Sequence, residues 1–477
     1  MVGVIVRRRL RVKACASLAA LIMASAPGCS SGAAQRDYNN AYILGLQAYT
    51  YGLPLLATNK TFLSMTSIDV SNGTGFGPVN QFNHVRTLNN PGSTAVVAPG
   101  ANGLSSIAWL DLRQEPLVLQ VPQVADHFFV LALLDPYTED ILNLGSAHNT
   151  QPGSYVICGP GQHEVPIPAE AQRISVNYTR TWIIGSTQLK GESDLASVNR
   201  IQDGYTLTPL SRYGSSYQPE TPTNPNTSLK RYALPSGLQF FAVLGELLEQ
   251  FPPPAADQET LRAFATVGIG PGRIPSQELH LSADTLQGLQ DAAAAGPAQI
   301  RSDAEAIFLA SSKIHNGYWL GGFGRYGTNY QLRAVVAQMG LGAFTSDQTI
   351  YAMSLTDHTM QPLSGSSEYV LHMPVAPPVN EGWSLTVYDL HGALVPNPLH
   401  RYQFSNASSL AYNADGSVDI FLQANQPADP GQAENWLPTP SGAGFEVVWR
   451  LLAPEPSAVD GILDGSGWQP PAIVRVR

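Results

Sequence analysis

Leu117-Val118-Leu119-Gln120-Val121 and Phe128-Phe129-Val130-Leu131-Ala132-Leu133-Leu134 are two short apolar runs held between turn residues. Runs of five to seven mostly apolar residues between breakers suit a strand better than a helix, and three shorter runs follow at 155–158, 174–176 and 182–184. Pro136-Tyr137, Pro152-Gly153 and Gly159-Pro160-Gly161 punctuate them. This spacing predicts antiparallel strands in a sandwich or jelly roll, where alternate side chains of two sheets share one core.

Working outward, residues 38–51 place Tyr42, Ile43, Leu46 and Tyr49 at helical spacing until Gly52 and Pro54 stop the pattern. This helix is expected to pack on the sandwich, giving an N-terminal domain over 37–212. The Ser-, Pro-, Thr- and Asn-rich stretch from Tyr213 marks a linker, 213–235. A helical section follows over 236–340. Ser236-Gly237-Leu238-Gln239 reads as a capping box, and Leu238, Phe241, Leu244, Leu248 and Phe251 line one face up to Pro252-Pro253-Pro254. Further helices are predicted at 257–267, 282–294, 299–311 and 329–339, the last closed by Gly340. Strand signals return at 368–373, 384–390, 418–423 and 445–452, with Asp415-Gly416 as a turn, predicting a second sandwich over 341–477. The fold class is α+β, mainly β: two antiparallel, jelly-roll-like β-sandwich domains with helices between them.

Arg7, Arg8, Arg9, Arg11 and Lys13 precede an uncharged run, 14–26, that reads as a signal peptide over 1–28. The run is shorter than the ~20 residues a spanning helix needs. Ala26-Pro27-Gly28-Cys29 resembles a bacterial lipobox, with Ala where Leu is usual, so Cys29 is expected to carry a lipid that anchors the chain to a membrane of the cell envelope. Ordinary cleavage, giving a secreted protein, is the alternative. The leader holds five of the 26 basic residues and none of the 36 acidic ones, which leaves a mature net charge of −15 and speaks against nucleic acid as a partner. Only Cys158 lies beyond the leader and its end, so no internal disulfide is expected.

Nearly the whole mature chain resembles a known tandem, domain of unknown function 1254 followed by domain of unknown function 1214. The first half matches at Gly77-Pro78-Val79-Asn80-Gln81-Phe82-Asn83-His84, Ala108-Trp109-Leu110-Asp111, Leu133-Leu134-Asp135 and Gln202-Asp203-Gly204-Tyr205. The second matches at Asn316-Gly317-Tyr318, Tyr369-Val370-Leu371-His372, Trp383-Ser384-Leu385-Thr386, Asn397-Pro398 with Arg401-Tyr402, and Asn435-Trp436-Leu437-Pro438. The resemblance implies two β domains flanking helices and supplies no activity. Two departures stand out. The family usually shows Pro-Asn-x-Asp-Thr-Leu-Tyr-Ser where this chain reads Pro99-Gly100-Ala101-Asn102-Gly103-Leu104-Ser105-Ser106, losing a carboxylate and a phenol that chemistry would use. Asn380-Glu381-Gly382 stands where the family often places an apolar pair before Trp383.

Gly28-Cys29-Ser30-Ser31-Gly32 spells a nucleophile elbow but sits at the cleavage site. Gly322-Phe323-Gly324-Arg325-Tyr326-Gly327 spells a dinucleotide motif, yet follows a predicted helix and reads as a glycine-rich helix connection. The ten histidines show no metal-ligand spacing beyond Asp389-x-His391, so neither metal nor cofactor is expected. The candidate ligand residues are His84 and Arg86, able to hold an anion from one strand face; Asn102 in the altered loop; and Asp111, which could instead tie strands together with Arg86. In the second half they are Asn397, Arg401, Tyr402, Asn435 and Trp436, whose ring faces and fixed amides suit flat polar ligands. Loop-locking hydrogen bonds explain these last residues equally well.

The expected function is binding of a small-molecule ligand or an envelope component in a cleft between the β domains. A hydrolase or lyase acting on a small polar substrate there is one alternative. A structural envelope protein, with exposed edge strands that favour a homo-oligomer, is another.

Overall fold

The computed structural model describes residues 32–93, 98–219 and 226–477; the leader and the lipidation reading at Cys29 lie outside them. The first half contributes β1 (Asn83–His84), β2 (Gly103–Asp111), β3 (Leu117–Val121), β4 (Phe129–Leu134), β5 (Asp140–Gly145), β6 (Gly153–Cys158), β7 (Gln172–Ser175), β8 (Arg180–Gln188) and β9 (Thr206–Pro209). They form a five-stranded sheet, β1-β2-β8-β4-β5, and a four-stranded sheet, β7-β6-β3-β9. Ala108, Leu110, Phe129, Leu131, Leu133 and Ile183 of the first meet Leu117, Leu119, Val121, Tyr155, Ile157 and Leu207 of the second in one core. The other face of β4 is covered as well: Val130, Ala132 and Leu134 pack with Met65, Trp109, Trp182, Leu452 and Ala453. A strand buried on both sides explains its unbroken apolar run.

The second half contributes β10 (Thr349–Ser354), β11 (Tyr369–Met373), β12 (Val379–Asp389), β13 (Gln403–Ser405), β14 (Val418–Gln423), β15 (Trp436–Pro438), β16 (Phe445–Pro454) and β17 (Ile473–Arg475). Their sheets, β10-β16-β12-β13 and β15-β14-β11-β17, close a second sandwich. In both sandwiches one pairing is parallel, β6 with β7 and β14 with β15; the others are antiparallel.

The helices are α1 (Gly32–Met65), α2 (Leu195–Gly204), α3 (Leu238–Gln250), α4 (Gln258–Ala265), α5 (Ala283–Ser312), α6 (Tyr330–Met339), α7 (Pro430–Glu434) and α8 (Val459–Asp464). Helix takes 30 % and strand 24 %, so the fold is α+β with more helix than its turn-rich composition suggests. Two boundaries differ from the sequence reading. α1 continues through Gly52 and the buried Pro54, and α5 runs as one helix through Pro297 where two were expected. Each proline removes one backbone donor, a local loss that tertiary packing outweighs.

That packing also relocates α1. It lies against α5, α3 and α6 as part of the helical layer, and its C-terminal half also reaches the N-terminal sandwich, where Tyr51 meets Tyr137 and Asn59 accepts from Arg180 of β8. A Cβ on Gly45 would stand 2.7 Å from the Ala292 Cβ, and one on Gly52 2.7 Å from Leu244, so both glycines permit close helix approach. The capping box at 236–239 does not form. Gly237 takes a left-handed φ of 58°, and Gln290 of α5 accepts from the Leu238 N–H in place of a local cap. The linker is strapped to the end of α1 by Asp69 N–H to Asn226 O (2.8 Å) and Lys230 N–H to Ser67 Oγ (2.9 Å). No described helix is long and apolar enough to cross a membrane.

Candidate functional site

His84 ends β1 half-buried, stacked on Phe82 at 5.6 Å, with Nδ1 2.9 Å from Ser106 Oγ. Burial first, then the neighbouring Arg86 charge, lowers its pKa to about 4 against an opposing pull from Asp203. A neutral imidazole beside a hydroxyl resembles half of a catalytic pair, but Ser106 is fully buried and also accepts from Gln202, so no substrate reaches it.

Arg86 does not tie to Asp111. Its guanidinium donates to Asp203 (2.7 Å) and to Asn199 O (3.0 Å), fastening the first sandwich to α2. Asp111 instead pairs with the adjacent Arg113, whose guanidinium holds its carboxyl below the usual range.

The second-half candidates lie near one another, Asn435 and Trp436 buried and Asn397, Arg401 and Tyr402 partly exposed. Asn397 bridges its own turn, donating to Val395 O and Arg401 O and accepting from the Leu399 and Arg401 N–H groups. Arg401 donates to the carbonyls of Glu434 (3.2 Å) and Trp436 (2.9 Å), closing the end of α7. The buried Asn435 amide holds Ala411 and Asp419, and the Trp436 indole donates to Gln423 O. Tyr402 meets His400 at 3.2 Å. These bonds are loop locks.

Asn102 borders β2, its carbonyl accepting from the Leu189 N–H. The altered loop before it docks on the second sandwich. Arg450 donates to Ala98 O and Tyr388 Oη to Pro99 O (2.7 Å), so the loop's own carbonyls occupy a guanidinium and a phenol of the other domain. The glycine-rich turn at 322–327 holds no phosphate cradle: the N–H groups of Tyr326 and Gly327 point at the Glu139 carboxylate (2.9 and 3.0 Å). Among the described residues no group of three or more His, Cys, Asp or Glu side chains is placed to hold a metal.

One cleft has walls from both sandwiches. It measures about 440 Å³ and is lined by Asp126, His127, Ser146, Gln151 and Lys190 of the first domain and Glu381 of the second. The tight turns before β4 and after β5 shape its floor, with Asp126 and Asn149 in left-handed conformations (φ 57° and 51°). His127 is fixed at both ring nitrogens, Nδ1 by Ala125 O (2.7 Å) and Nε2 by Asp194 (2.9 Å), which also accepts from the Lys190 N–H. With an acceptor at each nitrogen, both edges of the ring are already engaged within the protein. Glu381 stands where the pairing of β12 with β16 slips between Val379 and Gly382, which carries it to the rim.

None of these residues except Glu381 was singled out in the sequence, and Glu381 only as a departure. His127 and Lys190 lie in ordinary loop sequence with no motif spacing.

Residues 79–209 match the family model described as Protein of unknown function (DUF1254), and residues 348–456 that described as Protein of unknown function (DUF1214). No curated protein matches the chain. Among solved structures, the VPA0106 protein from Vibrio parahaemolyticus is similar over 92 % of this chain and 100 % of its own, at 20 % identity and TM-score 0.65, a likeness of fold. A putative uncharacterized protein from Burkholderia cenocepacia aligns over 93 % and 94 % at 13 % identity and TM-score 0.40.

Proposed function

Because the chain belongs to the DUF1254–DUF1214 tandem, whose descriptions name no activity, we propose from its own residues that it is an exported, lipid-anchored envelope protein that binds a small polar ligand between its two β domains. The observation that carries the reading is the cleft itself: one ammonium, two carboxyl groups, amides and hydroxyls converge on about 440 Å³, Glu381 from the second sandwich and the rest from the first. That size is within the range of small-molecule sites. The lining carries donors and acceptors of both charges with Phe129 as its one phenyl ring, which suits a zwitterionic or hydroxyl-rich molecule better than a flat aromatic one. Glu381 brings a carboxyl group to the cleft from the second domain's side. Export rests on the basic, then apolar leader, and anchoring on Cys29.

The test is mass spectrometry of the chain purified from its native membrane with nothing added. The expected result is acylated Cys29, no residues before it, and a polar molecule whose recovery falls about tenfold or more in the Lys190→Ala, Glu381→Gln double variant. A chain retaining Arg7 to Ala26 would remove the export reading. A preparation that carries no molecule, or one indifferent to the double variant, would remove the binding reading.

A further inference from the structure

Away from that cleft, where α1, α4, α6 and the turn from β4 to β5 converge, a guanidinium is buried without its hydrogen bonds. Arg333 is 1 % exposed, and its Nε and Nη2 have no partner. Its remaining nitrogen, Nη1, stands 3.5 Å from Glu139 Oε1, too far for a strong bond. Three rings wall it in, those of Tyr330 at 5.2 Å and of Tyr51 and Tyr137 at 5.7 Å.

The surrounding groups are already committed. Asp257 accepts from Tyr51 Oη (2.9 Å) and Tyr330 Oη (2.7 Å), and Tyr137 Oη donates to Phe251 O (2.7 Å). Glu139 accepts the two N–H groups of the glycine-rich turn. Leaving donors of a buried cation unpaired costs about 1–3 kcal/mol for each, more than folding tolerates without a return elsewhere. Nε and Nη2 form the side-on fork of the guanidinium, the edge that receives two oxygens at once.

Charge decides the class of occupant. One guanidinium already faces the Glu139 carboxylate, with the Asp257 carboxylate held on the hydroxyls of two of the surrounding tyrosines, so a full anion would add a like charge to a centre that has no positive excess. Neutral oxygens satisfy the fork without that repulsion. The three rings would cover the apolar remainder of such a molecule. The exposed position nearest the centre is Gly327, whose N–H the Glu139 carboxylate accepts.

We propose that this centre is a second binding site, for a small neutral molecule that presents two acceptor oxygens, carbonyl or hydroxyl, to Nε and Nη2 of Arg333. It is separate from the cleft between the sandwiches and does not depend on it. The test releases small molecules by denaturing the full chain purified without added ligand, alongside a high-resolution crystal structure of the same preparation. The expected result is a neutral oxygenated compound seated on the fork, recovered about tenfold less from Arg333→Met and from Arg333→Lys, whose point charge cannot replace two parallel donors. Recovery should be unchanged in the Lys190→Ala, Glu381→Gln variant. An ordered water alone on the two nitrogens, an anion there, or a compound lost with the cleft variant and kept in both Arg333 variants would each overturn the assignment. The crystal structure of the unaltered chain decides even if a variant fails to fold.

Discussion

Arg401 and Arg333 each face aromatic rings, one among loops of the C-terminal sandwich and one beneath the helical layer, and they differ in what their nitrogens touch. Arg401 donates to main-chain carbonyls at the end of α7. Arg333 is more deeply buried and has two nitrogens without a partner. Protein backbone is an acceptor the chain can always supply, so a guanidinium bonded to it needs nothing further to explain it. A guanidinium shut away from both water and backbone points to an acceptor from outside.

The contrast is broken most directly at Asp257. Asp257→Ala leaves two tyrosine hydroxyls without their acceptor and Arg333 with less opposing charge, and should cost about 3–5 kcal/mol in urea denaturation. A loss under about 1 kcal/mol would mean that water already serves these groups. The two arginines are compared next. Arg401→Ala should cost about 1–2 kcal/mol, from bonds lost at the α7 terminus. Arg333→Met should stay within about 1 kcal/mol of the native chain, because it removes an under-bonded charge while Glu139 keeps its backbone donors. Equal losses at both positions would erase the difference.

The smallest effect is a pH dependence at Asp135, beside the same centre. Burial, with the Glu139 charge adding to it, pushes its carboxyl up to about 7 against backbone bonds from Tyr137 and Glu139. The folded chain therefore holds a proton that the unfolded chain releases near pH 4. Its contribution to stability is complete below that pH and is lost as pH rises through about 7. Asp135→Asn keeps the oxygen that accepts from the Tyr137 and Glu139 N–H groups. It should flatten the stability curve between about pH 4 and 7, with a gain at the upper end and none at the lower. Parallel curves for the two proteins would place the titration at another group.

Much of the architecture could be read from residue order. β3 and β14 lie where their apolar runs placed them, since local pattern and final burial agree. Prediction failed where packing overrode local signals: Pro54 and Pro297 read as stops, and long helices carry both. β5 and β10 were missed because Asp140, Asn143, Thr349 and Ser354 are polar residues buried in strands, which no alternation reveals. The site residues were less legible. Asn397, Arg401, Asn435 and Trp436 drew notice as polar and aromatic groups in loops, yet those same properties serve loop closure. Arg333 did carry a signal, because on the helical spacing of Tyr330, Ala334 and Ala337 it shares their inward face.

The end of β16 bears on how any ligand enters. Leu452 and Ala453 complete a strand of the second sandwich while filling the core against β4 of the first. A jaw-like swing of the two halves would have to tear that shared seam. On the proposed binding reading, the cleft is a preformed gap, with specificity set by side-chain adjustment at its rim and little energy diverted to reshaping the protein.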